Sequence, residues 1–193
     1  MSLSNGNLRV RRTRKLLREA LVELVEERGF DRLTVGELTG RAMVSRAAFY
    51  RNYKDKYDLV EQIFDEAMAA VLGTIADGAE RPAEQRWVGF FEHISQYHRL
   101  YRALLGKGGS PWFAARMRAT LGEMVTEHLQ ARDARAAADG LVATVLSAMF
   151  VQSITWWLDH DRPSPPSEIA RQSAALVGAV IAEANSWVSD GRP

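Results

Sequence analysis

The sequence predicts an all-α protein, and three observations support this prediction. Apolar residues recur with a helical period through most of the chain. No stretch alternates apolar and polar residues as a half-buried strand does. Capping residues, prolines and glycines divide the chain into lengths suited to helices, about nine in total. We expect three helices in an N-terminal domain, a connecting helix, and a larger helical domain.

The first helix is predicted from apolar residues between positions 16 and 25, with Arg18 among the polar residues on the opposite face. Gly29 ends it. Thr34 followed three residues later by Glu37 is a capping box, which satisfies free amide groups at a helix start. It predicts a short second helix over residues 35–42.

A third helix is predicted to begin after Ser45, a residue type favoured as N-cap, and to end near Asn52. The residues between 42 and 44 then form a tight turn. A fourth helix begins near Lys56 and keeps its apolar period until Gly78. It connects the two parts of the chain, so the predicted domains are 1–55, 56–78 and 79–193.

The remaining helices have clear start and stop signals. Pro82 suits a first helical position, and the helix that follows has a break near His98. The glycines at 106–109 predict a loop, after which Pro111 begins another helix. This helix fades in the charged, alanine-rich stretch 131–138. Two final helices are predicted over about 139–159 and 167–188.

Composition excludes several kinds of site. The chain has no cysteine, and its four histidines form no metal-binding spacing, so neither a structural zinc nor another metal is expected. There is no nucleophile motif beside a base and no phosphate-binding loop, so we predict no enzyme activity and no cofactor. No apolar run approaches about 20 residues, and a secretory signal is lacking. We therefore expect a cytoplasmic protein without a membrane partner.

Charge is unevenly distributed along the chain. Residues 1–57 hold thirteen Lys and Arg against seven Asp and Glu, whereas the rest of the chain is net acidic. A cluster of positive charge at one end indicates where a polyanion binds.

Residues 34–58 have the pattern of a helix-turn-helix. Leu38 and Phe49 are placed to hold two short helices against the first one. Small side chains at Ala47 and Ala48 allow a close approach to base edges and contact with a thymine methyl group, while Arg46 offers several donors to guanine. Tyrosine, lysine and arginine side chains nearby are suited to phosphate contacts.

In order and spacing this segment resembles the DNA-binding domain of the TetR/AcrR family of bacterial transcription regulators. The resemblance rests on Gly29-Phe30, Thr34-Val35, the turn from Ala42 to Ser45, the Tyr50 to Tyr53 spacing, Lys56, and Asp58-Leu59. Two features depart from the family pattern. Met43 replaces the turn glycine, and Ala47-Ala48 replaces a common Gly-Thr, so the operator sequence of relatives cannot be transferred.

The resemblance implies roles for individual residues. Thr34, Tyr50, Tyr53 and Lys56 would contact phosphate, and Ser45, Arg46, Ala47 and Ala48 would face the major groove of double-stranded operator DNA. Arg51 and Lys54 complete the predicted DNA-binding set. The alternative for Tyr50 and Tyr53 is packing in the core, with Tyr53 the more buried of the two, and for Lys54 and Lys56 it is a solvated face. The basic segment from Arg9 to Lys15 is either a further DNA-contacting arm or a solvated, frayed terminus.

In this family the C-terminal domain binds a small molecule and forms the homodimer interface. A mixture of aromatic bulk and polar tips is typical of ligand pockets, and the candidates for an effector of unknown identity are Phe90, His93, Ile94, Tyr97, Tyr101, Trp112, Met117, Met149, Gln152 and Trp156. The alternative is that this set, His93 included, belongs to the ordinary core.

The last two helices carry apolar and small residues in strips. By resemblance they pair with a second copy in a four-helix bundle, through Leu141, Val145, Ala148, Leu176, Val177, Val180, Ala184 and Trp187. In a monomer the same residues would be internal core. A single recognition helix would contact few bases, which favours the dimer.

The function predicted from the sequence is a one-component repressor that is released from DNA by a ligand. A ligand-dependent activator is an alternative within the same fold. A second alternative is a ligand-binding module with weakened DNA recognition, suggested by Met43 and Ala48.

Overall fold

The computed structural model describes residues 2–76, 83–131 and 140–189, and these residues form nine α-helices without any strand. In chain order the helices are α1 (Ser2–Arg28), α2 (Val35–Arg41), α3 (Arg46–Tyr50), α4 (Lys56–Ala76), α5 (Ala83–Gln96), α6 (His98–Leu105), α7 (Pro111–Ala131), α8 (Gly140–Asp159) and α9 (Pro166–Ser189). The predicted all-α fold is confirmed.

Local signals determine where the first helices begin and end. Gly29 has φ of +77°, a conformation that costs glycine little, and its N–H donates to the Val25 carbonyl at 2.9 Å. At the start of α2 the Glu37 N–H donates to Thr34 Oγ1 at 3.2 Å, and the Thr34 N–H donates to Glu37 Oε2 at 2.9 Å. Both halves of the predicted capping box are therefore present.

The start of α3 is as the sequence predicts, but its end is not. Ser45 Oγ accepts the Ala48 N–H at 3.1 Å, which makes Ser45 the N-cap. The helix ends at Tyr50, before the predicted Asn52. The break between α5 and α6 lies at Tyr97, next to the predicted His98. The predicted positions of Gly78 and Pro82 and the stretch 132–138 lie outside the described residues.

Helix α1 is longer than its apolar pattern indicates. It begins at Ser2, so residues 9–15 are helical and extend α1 toward its N-terminus. The basic segment is therefore helical in this structure.

The core is continuous from α1 to α9. Leu59, Ile63 and Phe64 of α4 are almost completely buried, and α4 packs against α5. Helix α1 packs against α6 as well as α2, while α5 contacts α9 and α7 contacts α8. One cluster of buried side chains therefore joins α1 to residues of α4, α5 and α6.

The expectation that no apolar run approaches about 20 residues was wrong. Within the described residues α8 is long and apolar enough, by length and composition, to span a membrane. Its buried side chains, among them Leu146, Phe150 and Trp157, pack inside the helical bundle. Here high hydropathy belongs to a core helix whose other side is partly exposed.

Candidate nucleic-acid interface

Helices α2 and α3 are held by buried side chains on their inner sides. Leu38 of α2 and Phe49 of α3 are fully buried, and both belong to the core that includes Leu17 and Leu21 of α1. The Phe49 ring also contacts the ring of Tyr53, with centroids 5.7 Å apart. The opposite side of α3 is therefore presented outward in a defined orientation.

The outward side of α3 carries the residues predicted for DNA recognition. Arg46, Ala47, Tyr50 and Arg51 are exposed, Tyr50 by 59%, and Ala48 is half-buried. These side chains are donors, small apolar groups and an aromatic hydroxyl, which are the types that contact bases and phosphates.

Arg46 reaches from the first turn of α3 to the first turn of α2. A Cβ atom placed on Gly36 would lie 2.7 Å from Arg46 Nη2 and 3.8 Å from Thr34 Oγ1. Any side chain at Gly36 would therefore displace the guanidinium. The structure thus brings Thr34 and Arg46, with the exposed N-cap Ser45, into one patch.

The turn between α2 and α3 contains a residue in a disfavoured conformation. Met43 has φ of +51° and is 90% exposed. Its N–H donates to the Gly40 carbonyl at 3.2 Å, and the following N–H, from Val44, donates to the Thr39 carbonyl at 3.0 Å. The turn has the left-handed residue for which the family uses glycine, at a cost of about 1 kcal/mol for a side chain.

Two residues of the predicted set do not lie with the others. Tyr53 is only 2% exposed, and its hydroxyl is buried without a hydrogen-bond partner among the described residues. Burial raises the pKa of Tyr53. Tyr53 therefore supports α3 from inside, and the expected phosphate contact is contradicted because a ring in the core does not reach a phosphate.

Lys56 is the second such residue. Its Nζ donates to the carbonyls of Phe30 (3.0 Å) and Asp31 (2.9 Å), and it lies 4.8 Å from the centre of the Phe30 ring. The ammonium group thus joins α4 to the end of the α1–α2 region. Lys54, in contrast, has an exposed side chain.

Several arginines near the interface are neutralised by carboxylates. Arg28 pairs with Glu37 at 2.6 Å, and Arg41 pairs with Glu27 at 2.8 Å. The pKa of Glu37 is lowered by hydrogen bonds from Thr34 and by the nearby Arg28, and hydrogen bonding to Arg41 lowers that of Glu27. Arg41 also pairs with Glu23 at 2.9 Å, so the positive charges of Arg28 and Arg41 are balanced within the protein.

The predicted effector residues divide into three groups, of which the first is polar and partly buried. The His93 ring lies 4.7 Å from the Tyr97 ring and 6.1 Å from the Tyr101 ring, measured between centroids. His93 Nε2 and the Tyr101 hydroxyl are buried without a partner in the described part of the chain. Burial lowers the pKa of His93 and raises that of Tyr101.

The second group is ordinary core, as the alternative interpretation predicted. Phe90, Ile94 and Met117 are fully buried in the main hydrophobic cluster. Trp112 stacks on Phe30, with centroids 5.7 Å apart and planes 17° apart. It therefore packs against the end of α1, away from the polar group.

The third group lies on the surface between α8 and α9. Met149, Gln152 and Trp156 line a groove of about 330 Å³, together with Ile169, Ser153, Gln172, Ser173 and Leu176. Of the ten predicted residues, these three line this surface groove. Equal spacing along a helix cannot show which of its sides faces the interior.

The predicted dimer residues also separate into exposed and internal ones. Leu141, Val145, Ala148, Leu176 and Trp187 are exposed on α8 and α9. Ala184 is buried and packs with Val142 and Leu146, while Val177 and Val180 are half-buried against the same cluster. Its burial contradicts an interface role for Ala184, because α9 must bury this side to pack on α8.

Sequence reasoning missed a polar connection between α1, α4 and the α5–α6 break. Arg18, predicted to face solvent, has a side chain only 15% exposed. Its guanidinium forms two hydrogen bonds with the Glu66 carboxylate and donates to the Tyr97 hydroxyl at 3.1 Å. No local pattern marks this arginine, since its partners lie 48 and 79 residues away.

The polar groups of the described segments do not suggest a metal centre, since none of their His, Asp and Glu side chains form a group of three or more able to hold an ion. The exposed face of α3 is thus the main candidate for a functional surface.

Comparison with protein families agrees with this location. The N-terminal region, residues 17–63, matches the family of bacterial regulatory proteins described as tetR, and residues 84–191 match the C-terminal region of transcriptional regulators. The chain belongs to the TetR family of transcriptional regulators. The second match alone spans more than half of the chain, and the first one coincides with α1 to α4.

A curated relative is the uncharacterized HTH-type transcriptional regulator YxbF of Bacillus subtilis (strain 168). It is 25% identical over 171 residues, which cover 85% of this chain. The chain spans 44% of the length of that relative.

Solved structures of similar fold include several TetR-family regulators. One from Streptococcus agalactiae 2603V has a TM-score of 0.62 at 20% identity, over 90% of this chain and 98% of that one. One from Syntrophomonas wolfei str. Goettingen has a TM-score of 0.61 at 14% sequence identity, and the match covers 88% of this chain and 95% of that one. The dihydroxyacetone kinase operon activator DhaS has a TM-score of 0.56 at 12% sequence identity, and the match covers 88% of this chain and 96% of that one. At these identities the likeness supports the fold alone.

Proposed function

We propose that this regulator is a cytoplasmic repressor that binds operator DNA as a homodimer and leaves it when a small-molecule effector binds. The observation that carries the proposal is the outward face of α3, held from inside by Phe49. Ser45, Arg46, Ala47 and Ala48 contact base edges, and Thr34, Tyr50, Arg51 and Lys54 contact phosphates. Tyr53 and Lys56 support this surface from within.

Retardation of the DNA upstream of the chain's own gene tests the proposal. Arg46→Ala removes a fork of donors from the base-contacting patch and is expected to cost about 1–3 kcal/mol, roughly 5- to 150-fold in affinity. Arg171→Ala removes the same charge from an exposed position on α9 and serves as the matched control. Equal affinity of both variants and the unaltered protein would exclude α3 as the reading element.

Dimerisation is proposed from the exposed apolar side chains of α8 and α9. Leu141, Val145 and Ala148 lie on one strip of α8, and Leu176 and Trp187 lie on α9. A contiguous apolar surface of this kind is typical of protein interfaces. Two copies joined here would present two recognition helices to successive turns of a duplex.

We place the effector at the polar group of His93, Tyr97 and Tyr101. Buried polar atoms are normally hydrogen-bonded, so the unpaired His93 Nε2 and Tyr101 hydroxyl favour a polar partner at this position. Tyr97 also accepts a hydrogen bond from Arg18 of α1. An effector that binds one arrangement of this contact more tightly would shift the population of DNA-bound conformations.

Ligand-dependent activation is the second candidate. One protein of the same fold is named an operon activator, so the fold is compatible with either sign of regulation. A reporter gene under the upstream promoter distinguishes them, because deletion of a repressor raises expression and deletion of an activator lowers it. Deletion of a module with weakened DNA recognition would leave the expression of the reporter unchanged.

A further inference from the structure

We infer that the N-terminal extension of α1, residues 9–15, is a second DNA-contacting surface in which Arg11 and Arg14 bind phosphates beside the groove that α3 enters. This inference rests on the proposed function. It adds contacts outside the helix-turn-helix, and these contacts contribute affinity without reading sequence.

The extension is attached to Asn52, the residue that follows α3 and its C-cap Arg51. Arg14 Nε donates to Asn52 Oδ1 at 3.3 Å, and Asn52 Nδ2 donates to the Ala48 carbonyl of α3 at 2.8 Å. This bond occupies one of the five N–H donors of Arg14, and the others are available to a phosphate. Any duplex that contacts the end of α3 is therefore close to this turn of α1.

Helical geometry separates Arg11 from Arg9 and Arg12, and Lys15 is already paired with Glu19 at 3.8 Å. Arg11 precedes Arg14 by three residues, so it lies about 4.5 Å further along the axis and about 60° around it. Arg9 and Arg12 are displaced from Arg14 by about 140° and 160° and lie on other sides of the helix. Arg11 and Arg14 thus share one side of the helix, the side on which Arg14 contacts Asn52.

Nothing in the described part of the protein covers this segment. Residues 8–12, 14 and 15 are exposed, and Leu17 is the first fully buried residue of α1. Five of the seven residues from Arg9 to Lys15 are cationic, and like charges three or four positions apart destabilise a helix. A polyanion bound along the extension removes this repulsion.

The distribution of ion pairs separates structural cations from available ones. Arg18, Arg28 and Arg41 are each paired with a carboxylate. Within the described residues Arg9, Arg11 and Arg12 have no carboxylate partner, and neither do the exposed Arg46 of α3 and its C-cap Arg51, so both the recognition helix and the extension carry unneutralised charge.

RNA or an anionic membrane could attract the same charges. The structure favours duplex DNA because Arg14 is bonded to Asn52, directly after the recognition helix and its C-cap, which places the extension at the edge of the surface proposed to enter a major groove.

The test measures binding of the full chain to two duplexes of equal length, the upstream DNA and a scrambled sequence, at increasing salt. For Arg11→Ala, the slope of log affinity against log salt is expected to fall in magnitude by about 0.9 for each bound protomer. For each bound protomer, a fourfold rise in salt should therefore reduce the affinity of the variant about 3.5-fold less than that of the unaltered protein. Both duplexes are affected, since phosphate contacts do not read sequence.

Matched variants make the result decisive. Arg12→Ala removes the same charge about 100° around the helix from Arg11 and about 160° from Arg14, and it should retain the original slope, while Arg11→Lys should retain most of it. Alanine favours helix, so the extension persists in each variant. Equal slopes for Arg11→Ala and the unaltered protein, or equal losses at positions 11 and 12, would overturn the inference.

The two duplexes separate this inference from the proposed function. If the upstream DNA binds no better than the scrambled one, but the Arg11 variant still loses slope on both, the operator proposal fails and the extension stands. If the unaltered protein binds neither duplex but binds RNA or anionic vesicles, both fail.

Discussion

The outward face of α3 and the face formed by α8 and α9 are both left uncovered by the fold, but their chemistry is opposite. The first is cationic, with Arg46 and Arg51 exposed and without carboxylate partners among the described residues. The second is apolar, with Leu176 and Trp187 exposed by 55% and 44%. A polyanion complements one surface and another apolar surface complements the other, which is the division of tasks expected of a dimeric DNA-binding protein.

The largest effect is expected from a substitution on the apolar surface of α8 and α9. Leu176→Glu places a charge in the proposed interface and should weaken the dimer by about 2 kcal/mol or more, roughly 30-fold in dissociation constant. The folded subunit should be unaffected because Leu176 is already exposed. Sedimentation at micromolar concentration measures the change.

Arg171→Glu is the control for this experiment. It adds an acid to the same helix about 140° from Leu176 and should leave the dimer intact. A monomeric unaltered protein, or equal weakening by both variants, would show that α8 and α9 do not form the interface.

A second prediction concerns the partly buried side chain of His93. The pKa of His93 is lowered by burial from its ordinary value of 6.5, so the folded state binds its proton less readily than the unfolded state. The stability that depends on neutral His93 is complete above pH 6.5 and decreases as the pH falls toward the lower pKa of the folded state. Glu66 opposes the shift and Arg18 adds to it.

Chemical denaturation between about pH 8 and 5 tests this sign, above the range in which carboxylates titrate. The free energy of unfolding should decrease toward acid, and His93→Gln should reduce that slope. An identical slope in the variant would assign the pH dependence to other groups.

The smallest effect is expected from a substitution of Met43, in the turn that leads into α3. Met43→Gly removes the penalty of a side chain at positive φ but increases the flexibility of the unfolded chain. The net gain is expected to be at most about 1 kcal/mol, or 2–4 °C in melting temperature. Met43→Ala retains a side chain at the strained position and should melt like the unaltered protein. A loss of stability in the glycine variant would show that the exposed Met43 side chain makes a contribution of its own.

The success of sequence reasoning followed the range of the interactions involved. The capping box of Thr34 and Glu37, the N-cap Ser45 and the helix end at Gly29 were predicted correctly, because each depends on residues within a few positions. The length of α1 was missed, since its N-terminal half lacks an apolar stripe. The motif predicted the proposed DNA-binding patch, but only the packing of α3 decided between a phosphate contact and core packing for Tyr53.

By itself the sequence determined the all-α fold, the helix-turn-helix and the family, because these depend on periodicity, caps and spacing along the chain. Only the tertiary structure decided that Lys56 bonds to backbone carbonyls, that Ala184 is internal, and that Arg18 joins Glu66 to Tyr97. It also divided the predicted effector residues among three places. The physical reason is that a helical period identifies which residues share a side, whereas the neighbour that covers that side comes from a distant part of the chain.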